Sequence, residues 1–238
     1  MSRVLLKLSG EAFSGEDGFG INAAALARIA GEVAQARADG AEIAVVVGGG
    51  NIIRGASLAE TGDIEQATAD YMGMLGTIIN GLALREKLQS LGVDSRVMSA
   101  LEIRSVAEPF IRNRAIRHLE KKRVVVLSAG TGNPFFTTDT CAALRATELR
   151  CEVLLKATKV DAIYDRDPAQ FPDATPFERL SYGEALRREI AVMDATAFTI
   201  CRERKIPIRV FQYDEPGNIH KAVSGQAIGT IVEDDHDR

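Results

Sequence analysis

Arg3-Val4-Leu5-Leu6-Lys7-Leu8 runs straight into Ser9-Gly10, and Glu42-Ile43-Ala44-Val45-Val46-Val47 runs straight into Gly48-Gly49-Gly50-Asn51. A strand with one face in water alternates apolar and polar residues, whereas a run that is apolar at nearly every position needs cover on both faces. The same pattern recurs at Val93 to Met98, Arg123 to Ser128, Glu152 to Lys156 and Ile208 to Phe211. Helical patterns lie between these runs. Asn22 caps a helix with Leu26, Ile29 and Val33 on one side and Gly40 at its end, and a long one runs from about Ile64 to Leu91 with Tyr71, Leu75, Ile78, Leu82 and Leu88 as its apolar stripe. A third starts near Asp139, and Ser181-Tyr182-Gly183-Glu184 forms a capping box for a fourth. Strands alternating with helices predict an α/β fold: a mostly parallel sheet with helices on both sides, because parallel neighbours require crossover connections.

The 238 residues are read as one domain spanning 1–238, with a possible nucleotide lobe from about 157 onward. Pro168, Pro172 and Pro176 break the stretch after the Glu152 run into a loop or hairpin excursion. The 46% hydrophobic and 26% charged composition is that of an ordinary globular chain. With 29 Lys and Arg against 33 Asp and Glu, the formal charge of −4 predicts no nucleic-acid partner and no attraction to an anionic membrane. Val4 to Leu6 is too short for a signal-peptide core and no stretch reaches 18 apolar residues, so the expectation is a cytoplasmic protein without an anchor. Cys141, Cys151 and Cys201 fit neither a disulfide framework nor a zinc knuckle, and His118, His220 and His236 have no partner at ligand spacing. Chemistry then falls to lysine, arginine, aspartate and backbone amides.

Small or glycine-rich segments follow the expected strands directly: Ser9-Gly10, Gly48 to Asn51, Ala129-Gly130-Thr131-Gly132-Asn133 and Thr158-Lys159-Val160-Asp161. Ligands of open α/β sheets bind outside the carboxyl ends of the strands, so these loops should share one crevice. Gly48, Gly49 and Gly50 bare their amides as an anion cradle or else make a tight turn; Arg54 lies four residues on. Lys7 interrupts an apolar strand and should either snorkel or meet an anion, and Lys156 ends a strand in the same way. The Walker phosphate-loop pattern and the His-Arg-Asp signature of protein kinases are both absent, and Gly18-Phe19-Gly20 follows a polar loop rather than a strand, unlike a dinucleotide fingerprint.

Lys7-Leu8-Ser9-Gly10, Gly48 to Asn51, Asp70-Tyr71-Met72-Gly73-Met74-Leu75, Gly130 to Asp139, Lys156 to Asp161 and Met193 to Phe198 together resemble the bacterial uridylate-kinase branch of the amino-acid kinase superfamily, over almost the whole chain. The resemblance implies a three-layer αβα sandwich and transfer of the ATP γ-phosphoryl to UMP. It implies that Lys7, Leu8, Ser9 and Gly10 hold the ATP phosphates with Gly50 and Arg54, while Thr158, Tyr164 and Asp167 line the nucleoside end. Gly49, Asp70, Thr131, Gly132, Asn133, Pro134, Phe135, Phe136, Thr137 and Thr138 should surround UMP. It further implies Mg2+ bound with ATP, no metal held directly by protein, GTP as activator through Gly15, Glu16, Asp17, Gly18, Phe19 and Gly20, UTP as inhibitor, and a homohexamer. Gln66 stands where that branch often has arginine.

In this reading the attacking group is the UMP phosphate, whose second pKa near 6 leaves it largely dianionic, so no general base is required. The work is to hold two polyanions together: unit charges 4 Å apart repel by roughly 4 kcal/mol at an effective dielectric of 20. Lys7, Asp139 and Asp194 are the catalytic candidates, Asp139 orienting a lysine or the magnesium water shell and Asp194 doing likewise or simply capping a helix. The alternatives are another kinase of the superfamily, acting on a carboxylate, carbamate or phosphate, and a non-catalytic nucleotide-binding protein on the same scaffold.

Overall fold

The structure, a computed structural model, describes residues 2–53 and 62–234; Arg54, expected at the ATP phosphates, lies outside the described residues. In chain order the first half comprises β1 (Arg3–Leu8), α1 (Glu11–Ser14), α2 (Ala23–Ala38), β2 (Glu42–Val47), α3 (Gln66–Ser90), β3 (Ser95–Ser99), β4 (Glu108–Pro109), α4 (Arg112–Glu120) and β5 (Val124–Ser128). The second comprises α5 (Thr138–Leu149), β6 (Val153–Thr158), β7 (Ile163–Tyr164), β8 (Pro176–Phe177), β9 (Arg179–Ser181), α6 (Tyr182–Arg187), α7 (Ala195–Glu203), β10 (Ile208–Gln212), α8 (Asn218–Val223) and β11 (Thr230–Glu233).

A nine-stranded sheet runs β4-β3-β5-β2-β1-β6-β10-β11-β9, and β7 pairs antiparallel with β8 as the hairpin that the prolines foreshadow. Every neighbour from β4 to β10 is parallel; β11 joins β10 antiparallel and β9 follows β11. The sheet is thus mostly parallel, with a reversed edge whose strands are too short for the apolar-run criterion to detect.

Successive strand residues feed opposite cores. Leu5, Val46, Val125 and Leu154 pack with Leu119, Cys141, Ala142 and Cys201 of α4, α5 and α7. Val4, Leu6, Val45, Val126 and Leu155 pack with Ile29, Val33, Leu84, Leu88 and Val223 of α2, α3 and α8. This is the expected αβα sandwich, and it explains why the strands are apolar at nearly every position: each side chain has a helix layer to meet. By the same parity, Lys7 and Lys156 fall on the α5 and α7 side, beyond Leu5 and Leu154.

The helix caps follow their sequence signals. The Asn22 side chain accepts from the N–H groups of Ala24 and Ala25, and the Ser181 hydroxyl accepts from Glu184 N–H. The expected stripe on the long helix needs correction. Ile78 and Leu88 are buried, but Tyr71 and Leu75 are 42% and 48% exposed, and the core face runs instead through Ala69, Met74, Ile78, Leu84 and Leu88. Tyr71, Leu75 and Ile79 form a second apolar stripe at i, i+4 spacing beside the first, so periodicity alone could not say which one faces the core. The three cysteines are free and buried, and burial pushes their thiols up, Cys141 to about 11 and Cys151 and Cys201 to about 12. Among the described residues, no helix is long and apolar enough to cross a membrane.

Candidate active site

Parallel pairing puts Lys7 and Lys156 directly opposite each other on β1 and β6. Adjacent strands lie about 4.8 Å apart, so two ammonium groups on one face repel unless an anion sits between them. Asp139, in the first turn of α5, is that anion: Lys7 Nζ lies 2.9 Å from Oδ1 and Lys156 Nζ 2.8 Å from Oδ2. Lys156 also donates to the carbonyl of Val192 at 2.7 Å. Burial pushes the Asp139 carboxyl up, but the charges and hydrogen bonds of Lys7 and Lys156 outweigh it and hold the group below the usual carboxylate range. The cluster keeps a net positive charge, suited to an incoming polyphosphate.

Asp194 plays a different geometric part. It caps α7 by accepting from Ala197 N–H at 3.0 Å, and it accepts from the hydroxyls of Thr137 at 2.5 Å and Thr140 at 2.9 Å. Burial acts to raise its pKa, but these hydroxyl and amide donors prevail and lower it. Its oxygens fasten the amino end of α5, and so Asp139, to α7.

The glycine turn is built by close approach. A Cβ on Gly10 would lie 2.5 Å from Gly50 N, and one on Gly49 would lie 2.5 Å from the Gly73 carbonyl oxygen, so neither position admits a side chain. The expected triple-amide cradle is corrected at one member: Gly48 N–H donates to Leu8 O at 2.8 Å and is not free for an anion. Among the described residues, no acceptor meets the N–H of Gly49 or Gly50.

Two cavities flank the region. One, of about 430 Å³, is lined by Gly49, Gly50, Asp70, Thr131, Asn133, Phe136, Thr137 and Thr138 among others. Gly132, Pro134 and Phe135 belong to the same loop but are not on its lining, and Gly50, expected with ATP, shares this cavity with Asp70. Asp70 accepts from Phe135 N–H at 2.7 Å and from the Gln66 side chain at 2.8 Å, which ties α3 to the loop's tip. The other cavity, of about 480 Å³, brings Lys156 together with Thr158, Tyr164 and Asp167, at the β7–β8 hairpin. Gly15 to Asp17 form a single 3-10 turn, and Gly18 and Gly20 take left-handed backbone angles around an exposed Phe19.

Some supporting residues escaped the sequence reading. Thr77 accepts from Ala129 N–H at 2.6 Å, and Arg145, stacked 3.8 Å over the Phe110 ring, reaches the Gly130 carbonyl. Asn80 is buried within α3. Thr77 and Asn80 are polar residues inside the apolar run Thr77-Ile78-Ile79-Asn80-Gly81-Leu82, a signal that their side chains serve something other than the helix surface. No group of three or more His, Cys, Asp or Glu among the described residues offers a metal cage.

The model of the amino acid kinase family matches residues 2–212. The fold is also that of a UMP kinase from Bacillus anthracis, 40% identical, with a TM-score of 0.94 over 99% of this chain and 97% of that one. A UMP kinase from Ureaplasma parvum is 36% identical, with a TM-score of 0.92 over 98% of both chains. A uridylate kinase from Archaeoglobus fulgidus is 29% identical, with a TM-score of 0.74 over 98% of this chain and 100% of that one. A family match across most of the sequence, on a fold whose strand ends gather two lysines, an aspartate and a glycine turn, places this chain in the amino acid kinase family.

Proposed function

We propose that this chain transfers the γ-phosphoryl group of ATP to UMP, giving UDP and ADP, as the UMP kinases it resembles are named for doing. The observation that carries the reading is the Lys7–Asp139–Lys156 cluster between a cavity holding Asp70 and a cavity holding Thr158, Tyr164 and Asp167. Two polyanions need a cationic meeting point, and no base need be supplied because the acceptor phosphate is already ionised.

Lys7 meets the transferring phosphoryl group, where charge spreads over equatorial oxygens, and Lys156 steadies the donor phosphates. Asp139 keeps both ammonium groups aimed while the nucleotides are away. Ser9, Gly10 and Gly50 amides complete the phosphate contacts with Arg54. Asp70 reads the ribose hydroxyls of UMP, and the 131–138 loop encloses the nucleotide. Mg2+ fits as a partner of the ATP oxygens, since both Asp139 oxygens are occupied by ammonium groups and leave that carboxylate an outer role. When bound, it neutralises phosphate charge. We extend the proposal to one catalytic domain, a cytoplasmic location, GTP acting at residues 15–20, UTP as inhibitor, and a hexamer in which the exposed Tyr71, Leu75 and Ile79 stripe meets another subunit.

The test is ADP release in a coupled assay with UMP, CMP, glutamate and aspartate as acceptors, with and without GTP. UMP should be preferred strongly. ADP release that UMP does not stimulate overturns the reading, and preference for a carboxylate selects the other superfamily kinases.

A further inference from the structure

Asn51 and Asn80 are both fully buried, one just after the glycine turn and the other in the middle of α3. They face each other amide to amide. Asn80 Nδ2 donates to Asn51 Oδ1 at 2.6 Å, and Asn51 Nδ2 donates to Asn80 Oδ1 at 3.0 Å. The remaining proton on each amide is used as well: Asn80 Nδ2 donates to Gly48 O at 2.7 Å and Asn51 Nδ2 to Gly20 O at 2.6 Å. Gly20 N–H returns a bond to the backbone carbonyl of Asn51 at 2.8 Å.

Gly48 O and Gly49 N–H belong to one peptide unit, and in a trans peptide the carbonyl and the N–H point in opposite directions. A donor fastened to the carbonyl therefore aims the amide. The Gly48 carbonyl is drawn toward α3, which fixes the Gly48–Gly49 peptide, while Gly48 N–H is held by Leu8 O, which fixes the Val47–Gly48 peptide before it, and Gly49 borders the cavity with Asp70. We infer that Asn51 and Asn80 form a positioning pair, which aims the Gly49 amide at the acceptor phosphate and clamps the Gly18–Gly20 loop to the same turn. Burial makes the pair effective, because an amide orphaned in a low-dielectric interior has no water to turn to. The inference rests on the phosphoryl-transfer reading for its ligand, while the clamp itself can be tested without one.

The experiment compares the full chain with Asn80→Asp, which keeps the side chain's size and removes its donors, and with Glu32→Ala as a structural control. Glu32 is buried and accepts from Ile219 N–H at 2.8 Å, which caps α8 rather than the glycine turn. Steady-state kinetics, far-ultraviolet circular dichroism and hydrogen exchange of peptides covering residues 18–22 and 48–53 are measured below the melting temperature. For Asn80→Asp we expect a fall in kcat of at least tenfold and a raised UMP KM, with ATP KM within threefold of the parent. In the nucleotide-free variant both peptides should exchange faster together. The Glu32→Ala control should lose thermal stability and keep kcat. If the Asn80 variant merely melts earlier with kcat intact, or if its exchange matches the parent's in both peptides, the positioning role is wrong. Parent protein that releases no ADP with UMP defeats the functional reading separately, and the nucleotide-free exchange then still decides the clamp. Should Asn80→Asp fail to fold, Asn80→Ser, smaller and uncharged, is read in the same way.

Discussion

The two cavities beside the lysine pair are built differently. Around the cavity with Asp70, buried or partly buried groups hold the loops from behind: Thr77 on Ala129 N–H, Asn80 on the Gly48 carbonyl and Arg145 on the Gly130 carbonyl. Around the other, Ile163 N–H is held by the buried Thr230 hydroxyl and Lys156 by the Val192 carbonyl, but the side-chain contacts of the hairpin itself are local and exposed: Thr158 with Val160, Tyr164 with Asp161, Asp167 with Ala169 and Arg166 with Asp173. A wall braced by the core rejects a wrong ligand by leaving its polar groups unpaired, whereas a solvated hairpin can adapt. On the proposed reading, with UMP in the Asp70 cavity and ATP at the hairpin, the difference puts discrimination on the acceptor side and accommodation of a common donor on the hairpin side. The lysine pair is anchored in the sheet, with Lys156 on the lining of the hairpin-side cavity.

If the sheet cluster carries the chemistry for both sides, Lys7→Ala should lower kcat by a hundredfold or more with little change in UMP KM, the loss of one preorganised transition-state contact of about 3 kcal/mol. Equal kcat in variant and parent would break the comparison at its centre. Asp139→Asn should destabilise the fold by about 3 kcal/mol by leaving two ammonium groups without their anion. Its acid behaviour is the sharper readout. The Asp139 pKa is lowered by folding, so its stabilisation is full above the ordinary carboxylate value and is lost as pH falls through the folded value. Parent protein should therefore lose denaturation free energy on acidification more steeply than Asp139→Asn, and parallel curves would contradict the pairing.

The cavities themselves should separate in KM. Asp70→Asn, on the braced side, should raise UMP KM about tenfold, as expected when a charge-assisted hydrogen bond is weakened, with ATP KM unchanged. Thr158→Val, on the solvated side, should raise ATP KM less than about tenfold and leave UMP KM alone, the scale of one neutral hydrogen bond. If Thr158→Val proves the more damaging of the two, the assignment of rigid and adaptable sides is reversed.

The expected strands and their trailing loops match the structure because a parallel sheet covered on both faces makes its strands nearly continuously apolar, as in Leu5-Leu6 and Val45-Val46-Val47. Caps at Asn22 and Ser181 were readable because each rests on one side chain and an amide two or three residues away. The reversed edge through β11 and β9 was not, since strands of four and three residues carry too little pattern. Tyr71 and Leu75 show the same limit on a helix: the apolar stripe is local, but which stripe meets the core depends on where the neighbours lie.

What the linear order of residues determined by itself is the layered sheet, the crevice at its strand ends and the residue types gathered there, because hydrophobic period, cap chemistry and glycine placement act over a few residues. Only tertiary structure decided that Lys7 and Lys156 share one carboxylate, that Gly48 has already committed its amide, and that Asn80 reaches Gly48 across 32 positions. These depend on strand register and on distances between segments remote in sequence, which no local rule encodes.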